Sequence, residues 1–160
     1  MAIQNISKTK GFTLVEVVIV LAITVIVSGV AAVSLGSLEK KRISAACDEL
    51  VGDLRYAQRM AVLQGREYSV QFDTLNNGYE LYYTKNSGTN VLEKVLDKQV
   101  SFDNGVTLLS VNASGRLVSY TPMGTTGDAC TIVLQTDGYS ASITVNVGSG
   151  RVLIKEIVKI

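Results

Sequence analysis

No charged residue falls between Val17 and Leu38, a run of 22 residues reading VVIVLAITVIVSGVAAVSLGSL. As a helix the run rises about 33 Å, roughly the thickness of one hydrocarbon core. A helix buried in a soluble core normally keeps a polar stripe, and residues 17–27 offer only Thr24. The run also accounts for an otherwise odd composition. Mean hydropathy is +0.28 and only 18% of residues are charged, below the usual quarter, and the apolar excess is concentrated here.

Ahead of the run lies a polar leader, MAIQNISKTKG, carrying Lys8 and Lys10. A basic segment followed by an apolar one is the form of a secretory signal, and Gly29, Ala31 and Ala32 offer small residues for a conventional cleavage site. The flanking charges do not orient the segment, because Lys40, Lys41 and Arg42 follow the run as Lys8 and Lys10 precede it. Glu16 is what ordinary secretion does not explain. A carboxylate at the start of such a helix is costly unless it is paired or reaches the interface.

The rest of the composition excludes several kinds of chemistry. There is no His, which removes Ser-His-Asp and Cys-His nucleophilic sites and His-ligated metals. Two Cys cannot form a four-thiolate zinc or iron–sulfur centre. No Gly-rich phosphate loop and no convergent carboxylate pair is visible, so the chain reads as a non-enzyme without cofactor or metal. Asp48, Glu49 and Asp53 read as a solvated acidic helix face. Net charge is +1, which favours no polyanionic partner by itself.

After Leu38 the pattern becomes amphipathic. Apolar or small residues recur at Ile43, Ala46/Cys47, Leu50/Val51, Leu54, Ala57 and Ala61, the spacing of a helix with one buried face. Gly65 is a natural stop. No Pro interrupts residues 12–64, so one long helix is expected, with Gly29, Gly36 and Gly52 as weak points. The remainder reads as β. Tyr68, Val70 and Phe72 alternate with polar residues, Asn77-Gly78 signals a hairpin, and Tyr79, Leu81 and Tyr83 continue the period. Residues 91–100 are ambiguous. Further strands are expected at 106–111, 116–120, 131–136, 139–147 and 151–158, separated by turn signals such as Asp137-Gly138. The single Pro, Pro122, falls in a loop. The expected fold is α+β, a long N-terminal helix packed on a C-terminal antiparallel sheet or sandwich. The tyrosines read as sheet packing rather than a stacking platform.

Lys10 to Glu16 read K-G-F-T-L-V-E ahead of the apolar run. This resembles the class III signal of type IV pilins and type II secretion pseudopilins. The resemblance implies a prepilin peptidase cut between Gly11 and Phe12, N-methylation of Phe12, and Glu16 as fifth residue of the mature chain. It implies that Glu16 meets the Phe12 amine of a neighbouring subunit, which would remove the unpaired-charge cost and set register. The implied organisation is a leader over 1–11, a transmembrane and filament-core helix over 12–38, an amphipathic helix over 39–65, and a globular β domain over 66–160.

The later segments resemble the H-type minor pseudopilins, the GspH/FimT family. They are Arg55-Tyr56-Ala57 through Ala61 to Gly65, the loop Tyr120-Thr121-Pro122-Met123-Gly124, the hairpin DGYSASITVNV, and Gly150-Arg151-Val152. This implies a structural subunit at or near a filament tip that helps initiate assembly. Its partners would be other pilin subunits, prepilin peptidase, an inner-membrane assembly platform and the membrane itself, with the globular domain outside the cytoplasm. DNA is the alternative partner, since some FimT-type members bind it through a G-R-x-R run. Here the second Arg is missing, and Arg151 and Lys155 are the only counterparts. Removal of Lys8 and Lys10 leaves 13 basic against 14 acidic side chains, a weak electrostatic footprint for DNA.

Cys47 and Cys130, 83 positions apart, are left with two readings. After export they can form a disulfide worth about 4–5 kcal/mol in the chain-entropy model, or they are two small buried thiols. Family members often place a disulfide within the C-terminal region, so a helix-to-sheet bond would be a departure.

Overall fold

The computed structural model describes residues 12–86 and 92–160, with the side chains of residues 29–37, 86 and 155 outside the description. The expected long helix forms as α1, Leu14–Gln64. The chain divides into two compact units, one ending at Ser37 and one spanning Leu38–Ile160.

In the first unit, Thr13 precedes the helix and caps it. Its Oγ1 accepts a hydrogen bond from the Glu16 N–H at 3.3 Å. Thr13 and Glu16 stand three apart, as in a capping box, and the Glu16 charge lies in the first turn, where the helix dipole favours it. Every described side chain from Phe12 to Ser28 is exposed.

In the second unit, α1 buries Ile43, Cys47, Leu50, Val51, Leu54, Ala57 and Ala61, the face that the periodicity outlined. The helix stops at Gly65, whose φ is +61°. The Arg66 N–H donates to Ala61 O at 3.2 Å, which closes a Schellman-type cap.

Eight strands follow: β1 Tyr68–Asp73, β2 Gly78–Asn86, β3 Leu92–Ser101, β4 Thr107–Asn112, β5 Leu117–Tyr120, β6 Cys130–Gln135, β7 Tyr139–Val145 and β8 Val152–Lys159. They form two four-stranded antiparallel sheets, ordered β3-β2-β1-β5 and β4-β6-β7-β8. Alternation places Val70 and Phe72 from the first sheet, and Ile132, Leu134 and Ile143 from the second, in one core with the helix face. Tyr68 and Tyr79 are also buried there, as packing residues. The ambiguous 91–100 segment is β3, an edge strand with nearly all side chains exposed. Its charged residues Glu93, Lys94, Asp97 and Lys98 suit an edge that must not pair further.

The two hairpin signals have different outcomes. Asp137-Gly138 makes a two-residue turn, with the Thr136 N–H donating to Tyr139 O at 2.8 Å. At Asn77-Gly78 the hairpin forms, but over a four-residue loop, because Asp73 pairs with Gly78. Asp73 Oδ1 accepts from the N–H groups of Leu75 and Asn76 and shapes that loop. Asn77 takes the left-handed conformation at φ 51°. Gly78 is required for another reason: a Cβ there would collide with the carbonyl oxygen of Val100 on β3.

Candidate functional site

Two regions carry the residues singled out by sequence. The first is the start of α1. Gly11 lies outside the described residues. Phe12 and Leu14 are 82% and 80% exposed, and the apolar side chains that follow are exposed around the whole helix. A continuous apolar surface of this kind marks contact with lipid or with other protein. Among the described residues no helix is long and apolar enough to cross a membrane. The described side chains of the run end at Ser28, and Leu14–Ser28 rises only roughly 22 Å.

The second region lies in the β-bearing unit, where the family-like loops converge on one side chain. Gln58 of α1 points its amide between them. Nε2 donates to Gly124 O at 2.7 Å and to Ser149 O at 2.9 Å. The loop after β5 is closed by Gly124 N–H to Thr121 O at 2.8 Å and Thr121 N–H to Thr125 O at 2.9 Å. It is joined to the β7–β8 turn by Gly148 N–H to Thr126 O at 2.9 Å. Gly150 has φ +62°, and a Cβ there would meet Gln58 Nε2 at 2.7 Å and Gly124 O at 2.8 Å. The glycines of the Tyr120–Gly124 and Gly150–Val152 motifs therefore have a shared physical reason. They let two loops approach one amide. Sequence reasoning missed Gln58, because a polar residue at a helix flank gives no local signal of a distant partner.

Arg151 is exposed, in the turn before β8, and the fold places it beside Arg55 and Arg59 of α1. The side chain of Lys155 lies outside the described residues. Asp53 departs from the solvated acidic face expected of it. It is 14% exposed in its side chain, accepts from Tyr79 Oη at 2.7 Å, and pairs with Lys98 Nζ at 2.7 Å. Burial, reinforced by Asp53, pushes the Tyr79 phenol far up. Glu49 adds a looser contact to Lys98 at 3.9 Å. Among the described residues, no group of three or more His, Cys, Asp or Glu is placed to hold a metal ion.

Of the two readings open for the cysteines, the structure has the thiols free and buried. Burial pushes both up to about 11, with Asp48 adding to the effect at Cys47. At neutral pH both are protonated and inert. Tyr120 is fully buried, and among the described residues its hydroxyl has no hydrogen-bond partner.

The family model described as Type II transport protein GspH matches residues 46–150. The prokaryotic N-terminal methylation motif matches residues 6–32. The fold is similar to the type IV minor pilin FimU of Pseudomonas aeruginosa strain PAO1 at 20% identity and a TM-score of 0.58, covering 74% of this chain and 91% of that one. It is also similar to the minor pseudopilin EpsH from the type 2 secretion system of Vibrio cholerae at 12% identity and a TM-score of 0.56, covering 70% of this chain and 94% of that one. No curated protein sequence matches the chain. With the methylation motif ahead of a region that the family model matches over most of its length, the chain belongs to the GspH family of minor pilins and pseudopilins.

Proposed function

We propose that this chain is a structural subunit at or near the tip of a type IV pilus or type II secretion pseudopilus, where it helps initiate assembly. The family is one of filament subunits rather than enzymes. Prepilin peptidase cuts between Gly11 and Phe12, and Phe12 becomes the N-methylated first residue. Residues 12–38 hold the subunit in the cytoplasmic membrane, with residues 39–160 outside the cytoplasm, until the assembly platform passes it into the filament. There Glu16 faces the Phe12 amine of a neighbour. The observation that carries this reading is the apolar surface from Phe12 to Ser28, exposed on all sides, with one carboxylate in its first turn. Lipid, then other stalks, would cover it.

Mass spectrometry of the N-terminus tests it. The expected product starts at methylated Phe12, and Gly11→Ala leaves the leader in place. A start at Ala32 or Val33 would sink the reading.

The alternative is a DNA-binding minor pilin for DNA uptake, resting on Arg151 and Lys155. The slightly acidic processed chain gives it little electrostatic support. A salt-dependent gel shift separates the two.

A further inference from the structure

Arg55, Arg59 and Arg151 line one groove, and Arg59 Nε donates to the Arg55 carbonyl at 3.4 Å. Arg55 and Arg59 stand one turn apart on α1, and Arg151 faces them from the turn before β8. With Gln58, Val152 and Leu153 they border a hollow of about 320 Å³. Like charges at this helical spacing repel, yet among the described residues none of the three makes an ion pair; the salt bridges found there both belong to Lys98. Gln58 and Arg59 also border a second hollow of about 490 Å³, walled by Val62, Leu63 and Met123. Leu63 and Met123 are 78% and 87% exposed. A cationic half and an apolar half thus form one surface. Its floor is already set, because the Gln58 amide is committed to the two loops.

We propose that this surface docks a segment of a partner protein that presents carboxylates beside apolar side chains. Arg forks match carboxylates in two-point geometry, and Arg and Met are residues enriched at the cores of protein interfaces. Three features favour polypeptide over nucleic acid. Among the described residues, no aromatic ring lines either hollow, so there is no platform for bases. Half of the surface is apolar and offers nothing to a phosphate backbone. The groove also includes the first residues of β8, an edge strand paired, among the described residues, with β7. An edge strand can take up an extended segment through the main-chain groups on its outer side. The partner is defined by its chemistry alone and does not depend on the filament role.

The test is fluorescence anisotropy on the full chain in non-ionic detergent. The probes are a short labelled peptide alternating Glu with Val and Leu, the same peptide with Lys replacing Glu, and a short DNA duplex. The Glu peptide is expected to bind, and the Lys peptide is not. Combining Arg55→Glu, Arg59→Glu and Arg151→Glu should weaken binding by about tenfold or more. Met123→Asp should weaken it severalfold with the arginines intact. Thermal unfolding confirms that each variant is folded, and Arg151→Glu alone replaces the triple change if that fails to fold. Absence of Glu-peptide binding, binding unchanged by the charge reversals, or tighter arginine-dependent binding of the duplex each overturns the proposal.

Discussion

The side-chain oxygen of Asn77 accepts a hydrogen bond from the backbone N–H of Leu108 at 2.7 Å, across the boundary between the two sheets. Asn77 sits at the tip of the β1–β2 hairpin, and Leu108 belongs to β4 in the other sheet. The same side chain donates through Nδ2 to Phe102 O and Val106 O, each at 2.8 Å. Its own carbonyl also accepts from the Phe102 N–H at 2.8 Å. One turn residue therefore ties the segment that carries the chain from the first sheet into the second.

This separates two roles of Asn77. Asn77→Gly keeps the left-handed backbone and loses the side-chain bonds. It is expected to destabilise the chain by about 2–3 kcal/mol, since half-buried backbone groups are left unpaired. Urea unfolding followed by circular dichroism measures it. Wild-type stability in the glycine variant would reduce Asn77 to a turn former.

Gln58→Leu keeps the bulk on the helix and removes both donors to Gly124 and Ser149. The cost is expected at about 1–3 kcal/mol. Hydrogen exchange should quicken in both loops, 121–126 and 146–150, together. Faster exchange in only one would show that the amide does not couple them.

The buried thiols predict an alkaline weakness. Cys47 and Cys130 rise from the ordinary 9.0 to about 11 on folding. Between these values the unfolded chain has released protons that the native chain still holds, so stability falls as pH rises from about 9 to 11. A Cys47→Ala/Cys130→Ala double variant should lose part of that slope, while carrying a general packing loss at every pH. Unfolding midpoints compared at pH 8 and pH 10 decide it; equal slopes in both proteins would remove the thiols as the cause.

Tyr120→Phe removes a buried hydroxyl that has no partner among the described residues. It is expected to leave stability within about 0.5 kcal/mol of wild type, or to raise it. A loss well beyond that in thermal unfolding would mean the hydroxyl is satisfied after all.

Glu16→Ala should leave the protein in the membrane fraction and greatly reduce its recovery in sheared filaments. Glu16→Asp, with the charge kept and the reach shortened, should fall between. Normal incorporation of the alanine variant would falsify the proposed pairing with a neighbour's Phe12 amine.

Much of this molecule is legible along the chain because the relevant geometry is local. A helix returns to the same face every three or four residues, so Ile43 through Ala61 declare their burial by spacing alone. Strands alternate every second residue, so Tyr68, Val70 and Phe72 do the same. Gly65 announces the helix end because few other residues accept its backbone angles. The K-G-F-T-L-V-E signal needs no fold at all to be read.

The exposed segment 92–101 resisted because a strand paired on one edge and facing solvent has no reason to alternate. Asp53 looked solvated because nothing near it in sequence reveals that Lys98 and Tyr79 arrive from β3 and β2.

The sequence by itself determined the apolar stalk with its carboxylate, the buried helix face, the strands other than β3 and the family. Each of these rests on contacts within a few residues or on a contiguous motif. Only the tertiary structure decided that Asn77 joins two sheets, that two distant glycine loops close on Gln58, that Cys130 is buried along with Cys47, and that Arg151 stands beside Arg55 and Arg59. Those relationships depend on the order in which strands are laid side by side. That order is set by how all the apolar faces pack at once, which no local spacing encodes.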